Sequence, residues 1–201
     1  MTVVAMVLEP DAPDPPHADE LALARRCVGD PEAFARLYHA HVERVYARLT
    51  RLVGPIAERD DLVQQVFLQL HQSLARFRGD AALATFIHRI AVNVAVDHLR
   101  QRARRPLVLD DDGLAAMVAD QADPAMRAAA REELATVFAL LDELPLDQRV
   151  AFVLIAIEGL TARAAAELVG ASPDAVKQRA ISARRALTAS LAASARPRRT
   201  P

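Results

Sequence analysis

Apolar positions recur along this chain at helical spacing, and the breaks between them are marked by proline, glycine and capping residues. The most informative stretch runs from Arg59 to Arg105 and predicts two helices joined by a short polar elbow. In the first, Leu62, Val66, Leu70, Leu74 and Phe77 step three or four residues at a time, and Val63 and Phe67 widen the stripe. Arg78-Gly79-Asp80 interrupts the pattern: Gly79 supplies backbone freedom, and Asp80 can cap the second helix. That second helix is apolar on most sides, through Phe86, Ile87, Ile90, Val92, Val94, Val96 and Leu99. One polar stripe survives at Thr85, Arg89, Asn93, Asp97 and Arg100, and the helix exits into Arg102, Arg104 and Arg105. An otherwise apolar helix with one polar stripe and a cationic exit suits a surface that handles a polyanion.

Upstream of this hairpin, residues 1–18 hold Pro10, Pro13, Pro15 and Pro16 among scattered acids and are expected to form a disordered leader. Helical periodicity starts near Asp19. Asp30-Pro31 then restarts it, an N-cap followed by proline at the first helical position. The helix so opened carries Phe34, Leu37, Val42, Val45, Tyr46 and Leu49 and stops around Gly54-Pro55.

Between Pro106 and Pro124 the periodicity dissolves. Asp110, Asp111, Asp112, Asp120 and Asp123 occur there without a basic residue, so 106–125 is expected to be an acidic, flexible linker. A second helical domain is expected over 126–192. Its first helix points Leu134, Val137, Phe138 and Leu141 inward and breaks at Leu144-Pro145. Val150 to Ile157 is the most apolar run and the expected core helix, ended by Gly159. Thr161 can cap a helix running to Val169. After the Gly170-Ala171 turn, Ser172-Pro173-Asp174 open another helix with an N-cap, an N1 proline and an acid in the first turn. A helix, a short glycine turn and a capped helix with a basic outer face make a helix-turn-helix. Residues 193–201 form a basic tail.

At these residues the chain resembles a known family. The run DDLVQQVFLQLHQSLARFRGDAALATFIHRIAVNVAVDHLRQ is similar to region 2 of the sigma-70 family, in its extracytoplasmic-function (ECF) group. The run LPLDQRVAFVLIAIEGLTARAAAELVGASPDAVKQRAISARRAL resembles region 4 of that family, and the two together cover roughly residues 20 to 192 in the family's order. The resemblance implies an all-α protein of two small helical domains. It also implies a promoter-specificity subunit of bacterial RNA polymerase, working in the cytoplasm.

It further assigns surfaces. Asp60, Asp61, Gln64, Gln65 and Leu68 correspond to the face that docks on the β′ coiled coil of core polymerase, the β flap being the second implied contact. The loop from Phe77 to Leu83, Arg78 within it, with Asn93 on the polar stripe, resembles the pocket that captures a base flipped from the downstream promoter element, and Phe86 is assigned to the same element and its melting. An unstacked base needs an apolar wall and an amide to read its edge. Arg89, Arg100, Arg102, Arg104 and Arg105 would track the nucleic-acid backbone.

In the helix opened by Ser172, Val176, Ala180 and Leu187 face inward, leaving Ala175, Lys177, Gln178, Arg179, Ser182, Arg184 and Arg185 outside for the upstream element. Lys177 can donate to guanine and Gln178 can pair bidentately with adenine, whereas Arg179, Arg184 and Arg185 suit phosphates. The chain departs from the family at three places: Ala164 where an acid often closes the capping box, Ser182 where a basic residue is usual, and Phe86 where Trp is common. A dedicated anti-sigma protein is a further partner that kinship implies.

Composition adjusts this picture at a few points. Apolar residues make up 52% of the 201 positions and aromatics only 4%, a balance that favours helices over sheets. Net charge is −1 and the pI about 6.6, which by themselves argue against a nucleic-acid binder. Distribution reverses that conclusion, because no acidic residue follows Asp174 whereas Lys177, Arg179, Arg184, Arg185, Arg196, Arg198 and Arg199 do. A lone cysteine, Cys27, excludes an internal disulfide and reads as a small core residue. No run approaches the roughly 20 apolar residues of a membrane span, so direct membrane insertion is not expected.

His39, His41, His88 and His98 lack the spacing of a helical zinc site, and no glycine-rich phosphate loop or nucleophile elbow occurs. No catalytic residue, metal, cofactor or small-molecule substrate is therefore expected. Two rivals to the sigma reading stand: a stand-alone dimeric helix-turn-helix regulator, and a polymerase-binding interaction protein that has lost promoter reading.

Overall fold

A computed structural model of the chain describes residues 20–79, 82–102, 108–118 and 123–194. Nine α-helices and no strand occur among them: α1 (Glu20–Gly29), α2 (Pro31–Val53), α3 (Arg59–Leu74), α4 (Leu83–Arg102), α5 (Asp111–Ala116), α6 (Pro124–Asp142), α7 (Leu146–Phe152), α8 (Ala162–Val169) and α9 (Pro173–Ser194). The expected leader, Asp80, Arg104 and Arg105 lie outside the described residues. The expected basic tail begins inside α9, and the rest of it lies outside them as well.

The described residues form two compact units, 20–102 and 108–194. In the first, α1 to α4 pack on one another. The carboxylate of Asp30 opens α2 by accepting from the Glu32 and Ala33 N–H groups at 2.9 and 3.1 Å, with Pro31 at the first helical position. Gly54 closes α2 with φ +93°, its N–H donating to the Thr50 carbonyl at 2.9 Å. The core lies where the apolar stripes meet: Leu37, Val45 and Leu49 from α2; Leu62, Val66 and Leu70 from α3; Ile87, Val94 and Leu99 from α4. Cys27 is buried in α1, and burial pushes its thiol pKa up, with the Asp30 carboxylate adding to the shift.

In the second unit, α6 and α7 are separated at Pro145, and the apolar run expected as one core helix is α7 continued by a π-helical segment over Val153–Ile157. The Glu158 N–H donates to the Val153 carbonyl at 2.9 Å, and Gly159, at φ +67°, ends the run. Arg149 is buried, with its guanidinium 2.7 Å from the Asp142 carboxylate.

The structure differs from the expectation of a flexible linker within 106–125. Asp111–Ala116 is a helix, opened by the Asp110 carboxylate accepting the Gly113 N–H at 2.8 Å. Leu114 and Val118 are buried against Leu134, Phe138 and Leu141 of α6 and Ala183 of α9. The aspartates dominate the local sequence, but the leucine and valine between them supply the apolar area that docks this turn of helix. The helix after it begins at Pro124, two residues earlier than expected.

Candidate nucleic-acid interface

The helix-turn-helix is built by three local devices. The Thr161 hydroxyl oxygen accepts the Ala164 N–H at 3.2 Å and opens α8, although Ala164 offers no reciprocal acid. Gly170, left-handed at φ +65°, ends α8, and the Ala171 N–H turns back to the Ala166 carbonyl at 3.1 Å. The Ser172 hydroxyl then accepts the Ala175 N–H at 3.2 Å and opens α9. Val176, Ala180 and Ala183 bury one side of α9, largely against α7 and α8, and Leu187 is half-buried.

That packing leaves Lys177, Gln178, Ser182, Arg184 and Arg185 exposed, as the spacing required. Ala175 is half-buried at the start of the helix. Arg179 behaves differently. Its guanidinium lies 2.8 Å from the Asp147 carboxylate in the first turn of α7, and the side chain is 37% exposed. A paired, half-sheltered cation presents less field to a phosphate than its exposed neighbours Arg184 and Arg185 do. No local signal points to this pair, because its members stand 32 positions apart (179 − 147).

The first unit presents two further faces. On α3, Asp60, Asp61, Gln64, Gln65 and Leu68 are all exposed on one side, opposite the buried Leu62, Val66 and Leu70. Leu68 is 60% exposed, an apolar side chain amid amides and carboxylates. Asp60 and Asp61 occupy the first turn of α3, where a carboxylate is favoured.

On α4, Thr85, Arg89, Asn93, Asp97 and Arg100 form a continuous exposed stripe along an otherwise largely buried helix. Arg100 and Asp97 stand 3.4 Å apart across one turn, an exposed pair worth a few tenths of a kcal/mol (~0.3). Arg102 is half-buried at the end of the helix. At the other end, Phe77 and Phe86 are both half-buried, with ring centroids 5.2 Å apart and planes inclined at 47°. Exposed Arg78 comes directly after Phe77. The structure thus brings Phe77 and Phe86 together as one aromatic wall, which their separation in sequence did not require.

Buried His41 and His88 belong to helix-packing surfaces, and among the described residues no group of His, Cys, Asp and Glu could hold a metal ion. Nor is any helix among them long and apolar enough to cross a membrane.

Helices without strands among the described residues, with a helix-turn-helix in one unit, make the architecture of many DNA-binding proteins. Comparison with known proteins gives the family. Residues 37–105 match the model for sigma-70 region 2, and residues 135–187 the model for sigma-70 region 4. The chain is 32% identical over 183 residues to the RNA polymerase sigma-H factor of Pseudomonas aeruginosa, covering 86% of this chain and 93% of that one. To the ECF RNA polymerase sigma-E factor of Escherichia coli it is 30% identical over 176 residues, covering 84% and 92%. Among solved structures, CnrH in complex with the cytosolic domain of CnrY superposes with a TM-score of 0.62 at 30% identity, over 87% of this chain and 97% of CnrH. The fold is also that of the sigma factor RpoE of Bartonella quintana, solved with the anti-sigma factor NepR, at TM-score 0.57 and 19% identity, over 80% and 97% of the two chains. The chain belongs to the sigma-70 family, in its ECF group.

Proposed function

We propose that this chain is a promoter-specificity subunit of bacterial RNA polymerase: it binds the core enzyme, reads two promoter elements and nucleates DNA melting. The observation that carries this reading is the ordered pair of region 2 and region 4 matches, each lying on a helical unit with an exposed polar face. Each domain then has its role. Residues 19–105 hold core polymerase and the downstream element, and 126–192 hold the upstream element.

In the second unit, Lys177 and Gln178 read base edges from the first turns of α9, where such a helix enters the major groove. Arg184 and Arg185 grip phosphates. Ala175 and Ser182 line the same face, and Arg179 holds α9 to α7 beside it. The exposure of all but Ala175 and Arg179 supports this division of labour. In the first unit, the face of Asp60, Asp61, Gln64, Gln65 and Leu68 docks on the β′ coiled coil, Leu68 being the apolar anchor. Phe77 and Phe86 wall a pocket for an unstacked base whose edge Asn93 reads, and Arg78, Arg89, Arg100, Arg102, Arg104 and Arg105 track the backbone.

The factor works in the cytoplasm and contributes no catalysis; the core enzyme makes the RNA. A partner of the anti-sigma kind is supported by the complexes in which CnrH was solved with the cytosolic domain of CnrY and RpoE with the anti-sigma factor NepR. Reconstituted transcription tests the whole reading. Purified protein, core polymerase and fragmented genomic DNA are expected to give RNA starts clustered behind a shared two-part motif. Core binding without initiation would leave only an interaction protein, and neither activity would return the chain to a dimeric regulator.

A further inference from the structure

The amino-terminal end of α4 is held from a distance. The carboxylate of Glu20, the first residue of α1, accepts the Leu83 N–H at 2.7 Å across 63 positions of sequence. The next residue, Leu21, lies against Gly79: a Cβ built on Gly79 would meet its side chain at 3.8 to 3.9 Å. Gly79 adopts φ +77°, a conformation that ordinary side chains resist. Two consecutive residues of α1 therefore meet this part of the chain, one at Gly79 within the connection between α3 and α4 and one at Leu83, where α4 begins.

That connection sets the aromatic wall. Phe77 stands two residues before Gly79, and Phe86 lies in the first turn of α4, its N–H donating to the Ala82 carbonyl at 3.0 Å. The first N–H groups of a helix have no partner within it, and without one the first turn frays. An anionic acceptor at that end offers a charge-assisted bond and a favourable interaction with the helix dipole. Fraying here would move Phe86 away from Phe77, because Phe86 is carried by the turn that Leu83 begins.

We infer that Glu20 is a positioning residue for downstream-element reading: by holding Leu83 it keeps Phe86 against Phe77 and so keeps the shape of the base pocket. This rests on the assignment of that pocket in the proposed function. Glu20 acts through its bond to the Leu83 N–H.

The test is single-round transcription by core polymerase reconstituted with the full-length factor, on promoters substituted one base at a time in each element. Glu20→Ala is expected to lower discrimination at the flipped downstream base about tenfold, the worth of one hydrogen bond to a charged group. Discrimination at the upstream element and affinity for core polymerase should stay at wild-type values. Glu20→Gln keeps an acceptor oxygen in place and is expected to restore most of the discrimination. Leu21→Ala, which loosens the contact at Gly79, should shift discrimination in the same direction and supplies a second reading should Glu20→Ala fold poorly. Activity falling equally on every promoter, or a lowered melting temperature with downstream discrimination intact, would reduce Glu20 to a staple and overturn the proposal. A wild-type factor indifferent to downstream substitutions would instead overturn the pocket assignment beneath it.

Discussion

Arg179 of α9 and Asp147 of α7 form an ion pair at 2.8 Å, tying the second helix of the helix-turn-helix to the first turn of a helix it packs against. Asp147→Asn removes the charge and keeps the shape. Both side chains are partly exposed, so the stability cost should stay below about 1 kcal/mol. The freed guanidinium becomes available to a phosphate, and affinity for upstream-element DNA at low salt is expected to rise. The slope of log affinity against log salt should steepen by about 0.9. Fluorescence anisotropy across a salt series checks this; an unchanged slope would mean that Arg179 already engages DNA through the pair.

Lys177 and Gln178 stand exposed on the first turns of α9. Replacing either with alanine is expected to cost about 1–3 kcal/mol in binding the preferred upstream element and to relax preference at one base position. Arg185→Ala should instead weaken binding to all sequences alike. Competition binding against a library substituted base by base separates the two patterns.

Asn93 lies on the exposed stripe of α4, where its amide can meet a base edge. Asn93→Ala is expected to change preference within the downstream element by about 1–3 kcal/mol while leaving core affinity intact. Start-site mapping on substituted promoters, paired with a core-binding titration, measures both. Lost core affinity would place the pocket elsewhere.

Leu68 is an exposed leucine on a polar helix face. Leu68→Asp should leave the melting curve within about 0.5 kcal/mol of wild type, as surface substitutions generally do. The same change should weaken core binding at least tenfold, about 1.4 kcal/mol. Equal core binding by the variant would remove Leu68 from the docking face.

Cys27 is buried, and burial and Asp30 both raise its thiol pKa. The folded-state value lies above the unfolded one, so stability is complete below the ordinary thiol range, near ~8.5, and declines as pH rises through the folded value. Thermal melts between about pH 7.5 and about pH 9.5 should show this decline in the wild type and less of it in Cys27→Ala. A parallel decline in both proteins would assign the alkaline loss to other groups.

Much of the architecture was legible locally. Asp30-Pro31, Thr161, Gly170 and Ser172-Pro173 mark helix ends through bonds that span two to five residues, so a short window contains both partners. The stripe from Thr85 to Arg100 comes from helical spacing alone, because a residue's direction around a helix depends only on its position, whereas the face from Asp60 to Leu68 was singled out by the family resemblance and its residues are exposed. The docked helix at Asp111–Ala116 was missed because its aspartates outweigh Leu114 and Val118 in any local count. Those two side chains are buried by Leu134, Phe138 and Ala183, which are distant in sequence.

The sequence by itself determined where helices begin and end, which faces they keep for solvent, and which family the two blocks resemble. Only the tertiary structure decided that Arg179 answers Asp147, that Phe77 meets Phe86, and that Glu20 caps a helix 63 residues away. Caps and periodicities are short-range and repeat with the helix itself. Pairings between helices depend instead on where they cross, and packing the whole apolar core sets those crossings.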